Sequence, residues 1–413
     1  MDRAILHCDM NNFYASVEML LHPELRGKAV AVAGDPQARH GIVLAKSYEA
    51  KRCGVKTGNP LWMARRLCPD IVFVPPHFEE YLKFSKLAQE IYLDYTDQVE
   101  SFGLDECWLD VTGSVGLFGN GRRIADAVRE RIKRELGITA SVGVSYNKIF
   151  AKLGSDLHKP DATTVITRED YKELVWPLPV SDLLYVGPAA TAKLARYTIK
   201  TIGDLAAADA GLLQSLFGKV GAMLQAFANG HDASAVTSFD ARPMIKSIGN
   251  STTTPKDLNS DQDIKITLYV LCESVAERLR EQHLVCSTVQ VWIRYDDLWS
   301  CERQAGLGTP VCNSESIFRR AFELVRQNRN PAKPLRSLGV RACNLSPDCI
   351  LQTSFLPEIR RAQRGDDLER TVDAIRQRFG RRSIQRGIAM TDRTLSSIDP
   401  KSDHVIHPVG FLR

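Results

Sequence analysis

The amino-acid sequence predicts a multidomain α+β fold. Its 413 residues are too many for one small hydrophobic core and suggest about three or four domains. When residues 19–76 are set aside, the first part of the chain has the order strand, helix, hairpin, helix, strand. That is the order of the split βαβ, or ferredoxin-like, arrangement. Residues 246–345 also alternate strands with helices, and small helices lie between these two regions.

Local patterns justify each element of the first region. Short apolar runs predict buried strands, and apolar residues at helical spacing predict helices. In chain order we predict a strand at 4–10, a helix at 11–21, strands at 28–34 and 41–47, a helix at 78–97, a hairpin within 101–110, a basic amphipathic helix through Ile124 and Leu136, and a strand at 138–147.

The second region has the same kind of pattern. Amphipathic spacing predicts helices at 267–284 and 315–328, and apolar alternation predicts strands at 287–297 and 336–347. The segment 231–247 has few large apolar residues and contains Pro243, which is typical of a linker. We therefore predict that an α/β domain follows the linker.

Composition narrows the class of protein. With 44% hydrophobic and 25% charged residues the chain is typical of folded proteins, and its net charge of +5 permits a nucleic-acid partner without requiring one. No apolar run reaches the ~18 residues that span a bilayer, and no signal-peptide pattern is present, so we expect a cytoplasmic protein that does not bind membranes. The ten cysteines include no C-x-x-C pair, which argues against a zinc site.

Three carboxylates are candidate metal ligands. Asp9 ends the first predicted strand, and Asp105 and Glu106 lie near the bend of the hairpin. An isolated Asp-Glu pair is more often a polar turn, but the split βαβ arrangement makes these two segments neighbours in one sheet. Converging carboxylates repel unless cations neutralise them, and oxygen ligands suit Mg²⁺. Two such ions can clamp an in-line displacement at phosphorus, whereas Asp110, beyond the bend, is expected to be structural.

Four segments together resemble the motifs of a known family. They are CDMNNFYASVE, SYEAKRCGVKTGNP, SFGLDECWLDVTGS and SVGVSYNKIFAKLGSDLHKPDATTVI. In this order and spacing they resemble the Y-family DNA polymerases of the DinB/UmuC type, the translesion group. The resemblance runs from residue 4 to about residue 345. It implies a palm (1–18 and 77–165), fingers (19–76), a helix-hairpin-helix thumb (166–232), a linker (233–245), a little finger (246–346) and a C-terminal tail (347–413).

The resemblance also implies roles for residues of the active site. It assigns two Mg²⁺ ions to Asp9, Asp105, Glu106 and the backbone carbonyl of Met10. It assigns the dNTP to Phe13, Tyr14, Tyr48, Lys51 and Lys159, with Tyr14 as the steric gate against a 2′-hydroxyl. Tyr14 could instead be an ordinary core aromatic.

Two positions depart from the common pattern of that family. Many members carry an arginine where this chain has Lys51, and a hydroxyl residue where it has Ala45. The ammonium group of lysine is a point charge, so it cannot bind two oxygens side by side as a guanidinium can. The two differences put in question the affinity for the triphosphate and the role of the neighbouring Arg52.

DNA contacts are implied for the other domains. The thumb resembles a helix-hairpin-helix unit at Gly187, with Ala189 in place of a second glycine, and a further unit at Gly218 and Gly221. Such turns hold phosphates on backbone amides. In the little finger the implied contacts are Lys246, Arg336 and Arg341, which could also be a solvated basic face. Contacts of this kind are largely independent of base sequence and sensitive to salt.

A short peptide in the tail is a candidate contact for a sliding clamp. The segment QTSFL, residues 352–356, resembles the clamp-binding pentapeptide of bacterial polymerases, although threonine stands where leucine is usual. We predict that Gln352, Phe355 and Leu356 contact the clamp.

The sequence therefore predicts a template-directed, error-prone DNA polymerase that works as a monomer on primer-template DNA. No second acidic cluster remains for a proofreading exonuclease, so none is expected. Two alternatives stay open: a nucleotidyl cyclase, which also places two-metal carboxylates on a ferredoxin-like core, and a catalytically inactive DNA-damage scaffold.

Overall fold

The structure, a computed structural model, describes residues 2–35, 41–241, 244–348 and 357–400. The chain divides into two compact units, which we describe separately. The first is built from residues 2–34 and 42–241, and the second mainly from residues 244–348 and 357–400. None of the helices in these described ranges is long and apolar enough to cross a membrane.

The first unit contains eight strands and twelve helices within its described residues. The strands are β1 (Ile5–Met10), β2 (Val30–Ala33), β3 (Val43–Lys46), β4 (Val72–Val74), β5 (Val99–Ser101), β6 (Glu106–Asp110), β7 (Ala140–Ser145) and β8 (Thr163–Ile166). The helices are α1 (Phe13–Leu21), α2 (Tyr48–Arg52), α3 (Leu61–Leu67), α4 (Phe78–Leu93), α5 (Val115–Phe118), α6 (Gly121–Arg131), α7 (Lys148–Leu157), α8 (Tyr171–Leu174), α9 (Pro188–Ala195), α10 (Ile202–Ala207), α11 (Ala210–Phe217) and α12 (Lys219–Ala228).

The central sheet of this unit has the order β5-β6-β1-β7-β8. Strand β1 lies between β6 and β7 and is antiparallel to both, which confirms the predicted split βαβ arrangement. Every residue of β1 and β7 is buried, because residues of α4 and α6 join the core on one face while α7 covers the other. At Gly143 an added Cβ would lie 1.9 Å from the carbonyl oxygen of Ala151, so only glycine allows α7 to pack this closely on β7.

A second, smaller sheet forms the insert between α1 and α4. Strands β3, β2 and β4 make its three strands, with β2 antiparallel to β3 and parallel to β4. A small core of Ala31, Val43, Ala50, Val55 and Ala64 joins this sheet to α2 and α3. The two predicted strands of the insert are therefore present, together with β4 and the short helices α2 and α3.

The second unit is a four-stranded antiparallel sheet with helices on one face. Its elements are β9 (Ser247–Leu258), α13 (Asp261–Glu281), β10 (Leu284–Tyr295), β11 (Ser300–Val311), α14 (Ser314–Asn328), β12 (Leu335–Pro347), α15 (Pro357–Phe379) and α16 (Arg393–Ser396). The strand order is β11-β10-β12-β9. Side chains alternate between buried and exposed along the strands, since α13 and α14 cover one face only.

The C-terminal segment packs onto this second unit. The family resemblance implies a tail after residue 346, whereas α16 contacts α13 and α15 contacts α14. Leu395 of α16 is fully buried in the hydrophobic core of the unit. On α15, Glu369 and Asp373 pair with the buried Arg280 of α13, so charge as well as apolar burial attaches the segment.

Candidate active site

The register between β1 and β6 brings the predicted carboxylates to one edge of the central sheet. Asp9 lies directly opposite Glu106, and the backbone N–H of Met10 donates to the carbonyl oxygen of Asp105 at 3.0 Å. Asp9 is buried, and Asp105 and Glu106 are partly exposed. Asp110, four residues further along β6, instead accepts hydrogen bonds from the backbone N–H and the hydroxyl of Thr112. The segment SFGLDECWLD is therefore a hairpin that presents one acidic pair toward Asp9.

Two lysines neutralise this acidic cluster. The Nζ of Lys159 lies 2.6 Å from Asp9 Oδ2 and 2.8 Å from Asp156 Oδ1. The Nζ of Lys152 lies 2.9 Å from Glu106 Oε1 and 3.5 Å from Asp9 Oδ2. The carboxylates are largely shielded from water. The ammonium groups of the two lysines therefore provide the stabilisation that water gives an exposed carboxylate.

The three carboxyl groups differ in their proton affinity. Burial, with the negative charge of Glu106, raises the pKa of Asp9 to about 7 and that of Asp105 to about 6. Burial also acts to raise the pKa of Glu106, but the interactions with His7 and Lys152 outweigh it and lower that pKa to about 2. Glu106 is therefore the carboxylate that keeps its negative charge most firmly.

His7 lies beside Glu106 inside the sheet. Its Nδ1 lies 2.9 Å from the hydroxyl oxygen of Ser155, and its Nε2 lies 3.5 Å from Glu106 Oε2. Burial lowers the pKa of the imidazole to about 4, so the ring is neutral at pH 7. Strand β1 thus contributes both a ligand candidate, Asp9, and a buried neutral imidazole 3.5 Å from Glu106.

The chemistry of this cluster fits a hard divalent cation. All its donors are carboxylate or carbonyl oxygens, the ligands that Mg²⁺ prefers, and in this structure the ammonium groups of Lys152 and Lys159 supply the positive charge that a metal ion would otherwise supply. In the part of the chain that the structure describes, however, no three His, Cys, Asp or Glu side chains are arranged to hold one metal ion together. Metal binding at Asp9, Asp105 and Glu106 thus requires displacement of the lysines or a change of rotamer.

Two aromatic residues at the start of α1 border the cluster. Phe13 is buried, whereas Tyr14 is partly exposed, with its ring stacked on Tyr81 at a centroid distance of 4.2 Å. Burial, followed by the negative charge of Asp105, raises the pKa of the Tyr14 phenol to about 12. Tyr14 is therefore a rigid, neutral aromatic wall within electrostatic range of Asp105.

Helix α2 places Tyr48 within electrostatic range of Asp9, with Lys51 beside the Tyr48 ring. Burial raises the pKa of Tyr48, and the charges of Lys159 and Asp9 also act on its hydroxyl group. The Nζ of Lys51 lies 5.7 Å from the centroid of the Tyr48 ring. The neighbouring Arg52 is exposed and pairs with Glu49 at 3.2 Å. The five residues predicted for the nucleotide thus lie on α1, on α2 and just after α7, and three of them, Tyr14, Tyr48 and Lys159, interact with a carboxylate of the acidic cluster.

Comparison with known proteins identifies the family. Two family models match the chain: the impB/mucB/samB family over residues 8–156, and the impB/mucB/samB family C-terminal domain over residues 245–355. The chain is 53% identical to a DNA polymerase IV of Acetivibrio thermocellus, over 96% of this chain and 100% of that protein. The chain belongs to the impB/mucB/samB family. The membership in the DinB-type Y family that the four sequence motifs predict is thereby confirmed.

Further relatives and a solved structure agree with this family. A DNA polymerase IV of Pelotomaculum thermopropionicum is 39% identical over 94% of this chain and 95% of its own length. A solved Y-family DNA polymerase chimera of Dbh and Dpo4 segments has a TM-score of 0.73 at 24% identity, and covers 83% of this chain and 98% of its own. This last likeness confirms the predicted α+β multidomain fold.

The candidate DNA-contact glycines of this family member differ in their surroundings. Gly187 is the N-cap of α9, and Gly218, with φ of +59°, joins α11 to α12; both have open space where a Cβ would lie. At Gly221, by contrast, a Cβ would lie 2.2 Å from the carbonyl oxygen of Leu213. Gly221 is thus required for the packing of α12 on α11. Gly187 is exposed, whereas the backbone N–H of Gly218 already donates to the carbonyl oxygen of Gln214 at 2.8 Å.

The candidate cations of the second unit lie along the sheet. Arg341 of β12 is exposed and pairs in register with Gln290 and Gly249. Lys246 precedes β9 and is exposed, and Arg336 is partly exposed near the start of β12. Within the described ranges none of these three cations forms an ion pair, so each is available to a phosphate. Gln352, Phe355 and Leu356 lie outside the described residues.

Sequence reasoning missed three residues that surround the acidic cluster: His7, Lys152 and Asp156. A signal for two of them was present. Lys152 and Asp156 follow Lys148 at intervals of four residues on a helix whose remaining positions are largely apolar or small. Charged residues on one face of a buried helix predict charged partners inside the protein. The acidic motif at Asp105 and Glu106 could have been proposed as the partner of Lys152.

Proposed function

We propose that this chain is a template-directed DNA polymerase of the translesion type, which adds dNTPs to a primer 3′-hydroxyl. The observation that carries the proposal is the register of Asp9 opposite Glu106, with Asp105 adjacent and the aromatic wall of Tyr14 beside them. Intact carboxylates argue against an inactive scaffold. The two DNA polymerase IV relatives match 96% and 94% of the chain, which argues against a nucleotidyl cyclase.

The acidic cluster would hold the divalent ions that this chemistry needs. Asp9, Asp105, Glu106 and the backbone carbonyl of Met10 would bind two Mg²⁺ ions, which stabilise negative charge as it develops on a phosphoryl group. Lys152, whose Nζ lies 2.9 Å from Glu106 Oε1, would hold this carboxylate in position, with the neutral His7 ring beside it.

The remaining residues of the pocket would bind and select the nucleotide. Lys159, Lys51 and the hydroxyl of Tyr48 are donors suited to triphosphate oxygens. The Tyr14 ring, fixed by its stacking on Tyr81, would lie under the sugar and leave no room for a 2′-hydroxyl. Phe13 supports the ring from the core, at a centroid distance of 5.6 Å.

We further propose how the DNA and other partners are held. The turns at Gly187 and Gly218 would contact duplex phosphates, and Lys246, Arg336 and Arg341 would add cations in the second unit. No proofreading activity is expected, and the enzyme would work as a monomer in the cytoplasm. A sliding clamp would bind Gln352, Phe355 and Leu356, as the sequence predicts.

The double variant Asp105→Ala/Glu106→Ala tests the proposal. We expect primer extension to fall by at least about 10²–10³-fold, since the loss of metal ligands removes several kcal/mol of transition-state stabilisation. Binding of primer-template DNA, measured by fluorescence anisotropy, should stay close to wild type because other domains hold the DNA.

A control on the same strand sharpens the test. Asp110→Asn also removes a negative charge from β6, but it keeps an oxygen that can accept from Thr112. This control should extend primers at the wild-type rate. Near wild-type extension by the double variant would disprove the catalytic assignment.

A further inference from the structure

Two pairs of side chains face each other where α1 packs against α4. On α1, Tyr14 and Glu18 are four residues apart and therefore lie on the same face of the helix. On the opposite side, His77 is the N-cap of α4, and Tyr81 follows it by four residues. The ring of Tyr81 stacks on that of Tyr14 with an interplanar angle of 9°, and its hydroxyl donates to Glu18 Oε1. Tyr81 thus contacts both residues of the α1 pair.

Glu18 has hydrogen-bonding neighbours only inside the protein. Its side chain is fully buried, so water does not stabilise the carboxylate. Besides the Tyr81 hydroxyl, His77 Nδ1 lies 2.9 Å from Glu18 Oε1 and 3.1 Å from Glu18 Oε2. Burial, followed by the hydrogen bond to Glu18, raises the pKa of the Tyr81 phenol, so the hydroxyl remains a donor. The carboxylate therefore fixes the direction of the Tyr81 side chain, because loss of a donor to a buried carboxylate is costly.

The hydroxyl of Tyr14, by contrast, forms no hydrogen bond with any residue in the described ranges. The Tyr14 ring contacts three aromatic rings, those of Phe13, Phe78 and Tyr81, at centroid distances of 5.6, 6.1 and 4.2 Å. Tyr81 is the closest of the three, and it is the one with a hydrogen-bonding group. The orientation of Tyr81 therefore limits the orientation of Tyr14.

The exact position of the Tyr14 ring matters for a steric gate. An aromatic wall rejects a 2′-hydroxyl only while it occupies the space that this hydroxyl would need. Functional side chains have to be held to within about 0.5 Å by neighbours that fix their rotamers. A Tyr81 ring that could tilt or slide would let the Tyr14 ring move by more than this amount.

We propose that Glu18 is a positioning residue for sugar selection, which holds the Tyr14 ring against the 2′ position of the incoming nucleotide through its hydrogen bond with Tyr81. The inference rests on the proposed polymerase function. Glu18 itself is fully buried and would not touch the nucleotide. Loss of the hydrogen bond should therefore weaken the rejection of ribonucleotides and leave the use of deoxynucleotides almost unchanged.

Three variants separate positioning from stability. Tyr81→Phe removes the hydrogen bond and keeps the stacked ring, and Glu18→Leu removes the acceptor at similar volume. The double variant Glu18→Leu/Tyr81→Phe leaves neither a buried hydroxyl nor a buried carboxylate unpaired, so its Tm should lie above that of Glu18→Leu. Selectivity should not recover with the Tm, since the hydrogen bond is still absent.

Tyr92→Phe is the matched control. Tyr92 lies on the same helix and is buried, and its hydroxyl has no hydrogen-bond partner among the described residues. The substitution therefore removes a buried phenol hydroxyl from α4 without breaking a hydrogen bond.

The first measurement is single-nucleotide incorporation of dNTP and of rNTP on a primer-template. The ratio of the two kcat/KM values should fall roughly tenfold in Tyr81→Phe, in Glu18→Leu and in the double variant, the effect of one lost hydrogen bond to a charged group. Both constants for dNTP should stay within about twofold of wild type, and Tyr92→Phe should keep the wild-type ratio. A wild-type ratio in the double variant, or recovery of the ratio together with the Tm, would overturn the proposal.

The second measurement tests whether Glu18 acts through Tyr14. In a Tyr14→Ala background the gate ring is absent, so adding Glu18→Leu should not change the ratio further. A further tenfold fall would show that Glu18 acts independently of the ring and would overturn the proposal. Absence of primer extension by the wild-type protein would refute the proposed function itself, whereas an active enzyme whose ratio does not respond to these variants would refute the positioning role alone.

Discussion

Replacing Arg280 by methionine would remove the central charge of a buried ion-pair network in the second unit. The Arg280 side chain is only 5% exposed, and its guanidinium contacts Glu369 Oε2 at 2.5 Å and Asp373 at 2.6 and 2.9 Å. It also donates to the carbonyl oxygen of Cys312 at 2.8 Å. Methionine retains much of the apolar stem, so the change is mainly one of charge and hydrogen bonding.

The expected cost follows from what each carboxylate loses. Removing one partner of a buried ion pair typically costs about 3–5 kcal/mol, because the other charge stays buried. Glu369 keeps hydrogen bonds from Ser314 and lies 3.4 Å from Arg386, whereas Arg280 is the main partner of Asp373. We therefore expect the lower end of that range, about 3 kcal/mol, which corresponds to a fall in Tm of roughly 6–12 °C for a unit of this size.

A surface pair in the same unit provides the control. Arg319 contacts Glu315 at 2.8 Å, but its side chain is 77% exposed, so Arg319→Met should cost less than about 1 kcal/mol. Differential scanning calorimetry gives the Tm, and hydrogen–deuterium exchange of peptides from α13 and α15 assigns the change to the second unit. If both variants shift the Tm by the same small amount, burial does not strengthen the Arg280 pair and the reasoning is wrong.

Two further predictions concern substrate choice and the clamp. Tyr14→Ala should raise ribonucleotide incorporation relative to deoxynucleotide incorporation on the order of 10²–10³-fold, because an apolar wall supplies only a few kcal/mol of discrimination; an unchanged ratio in single-nucleotide assays would remove Tyr14 from the gate role. Phe355→Ala/Leu356→Ala should cost roughly 2–4 kcal/mol of clamp binding and reduce clamp-stimulated extension toward the unstimulated level. Full stimulation of this variant would place the clamp contact elsewhere.

The sequence was sufficient for the parts of the fold that have strong apolar patterns. Strand β1 is a continuous apolar run up to Asp9, and the order of elements around it fixed β6 as its neighbour. The convergence of Asp9 with Asp105 and Glu106 follows from that adjacency alone. Strands β9 and β11 were not predicted, since each has one exposed face rich in polar residues and glycine, which weakens the apolar signal.

The supporting residues of the site depend on long-range packing, which the local sequence does not contain. His7 is one of six buried residues in β1, and only the position of α7 across the sheet brings Ser155 to its Nδ1. The same packing, made possible by Gly143, brings Lys152 over Asp9 and Glu106. Charge pairs between distant segments are recognisable as such only after the sheet order is known.

The attachment of the C-terminal segment determines how a clamp contact can be tested. The candidate peptide lies between the end of β12 at Pro347 and the start of α15 at Pro357, so chain on both sides belongs to the second unit. Truncation before the peptide would also remove the carboxylate partners of Arg280 and the buried side chain of Leu395. It would thus expose part of the hydrophobic core of the second unit and leave the Arg280 charge unpaired. Loss of clamp stimulation in such a truncation would therefore have two causes. Alanine substitution within the peptide leaves those contacts in place, and only that experiment separates clamp binding from the stability of the second unit.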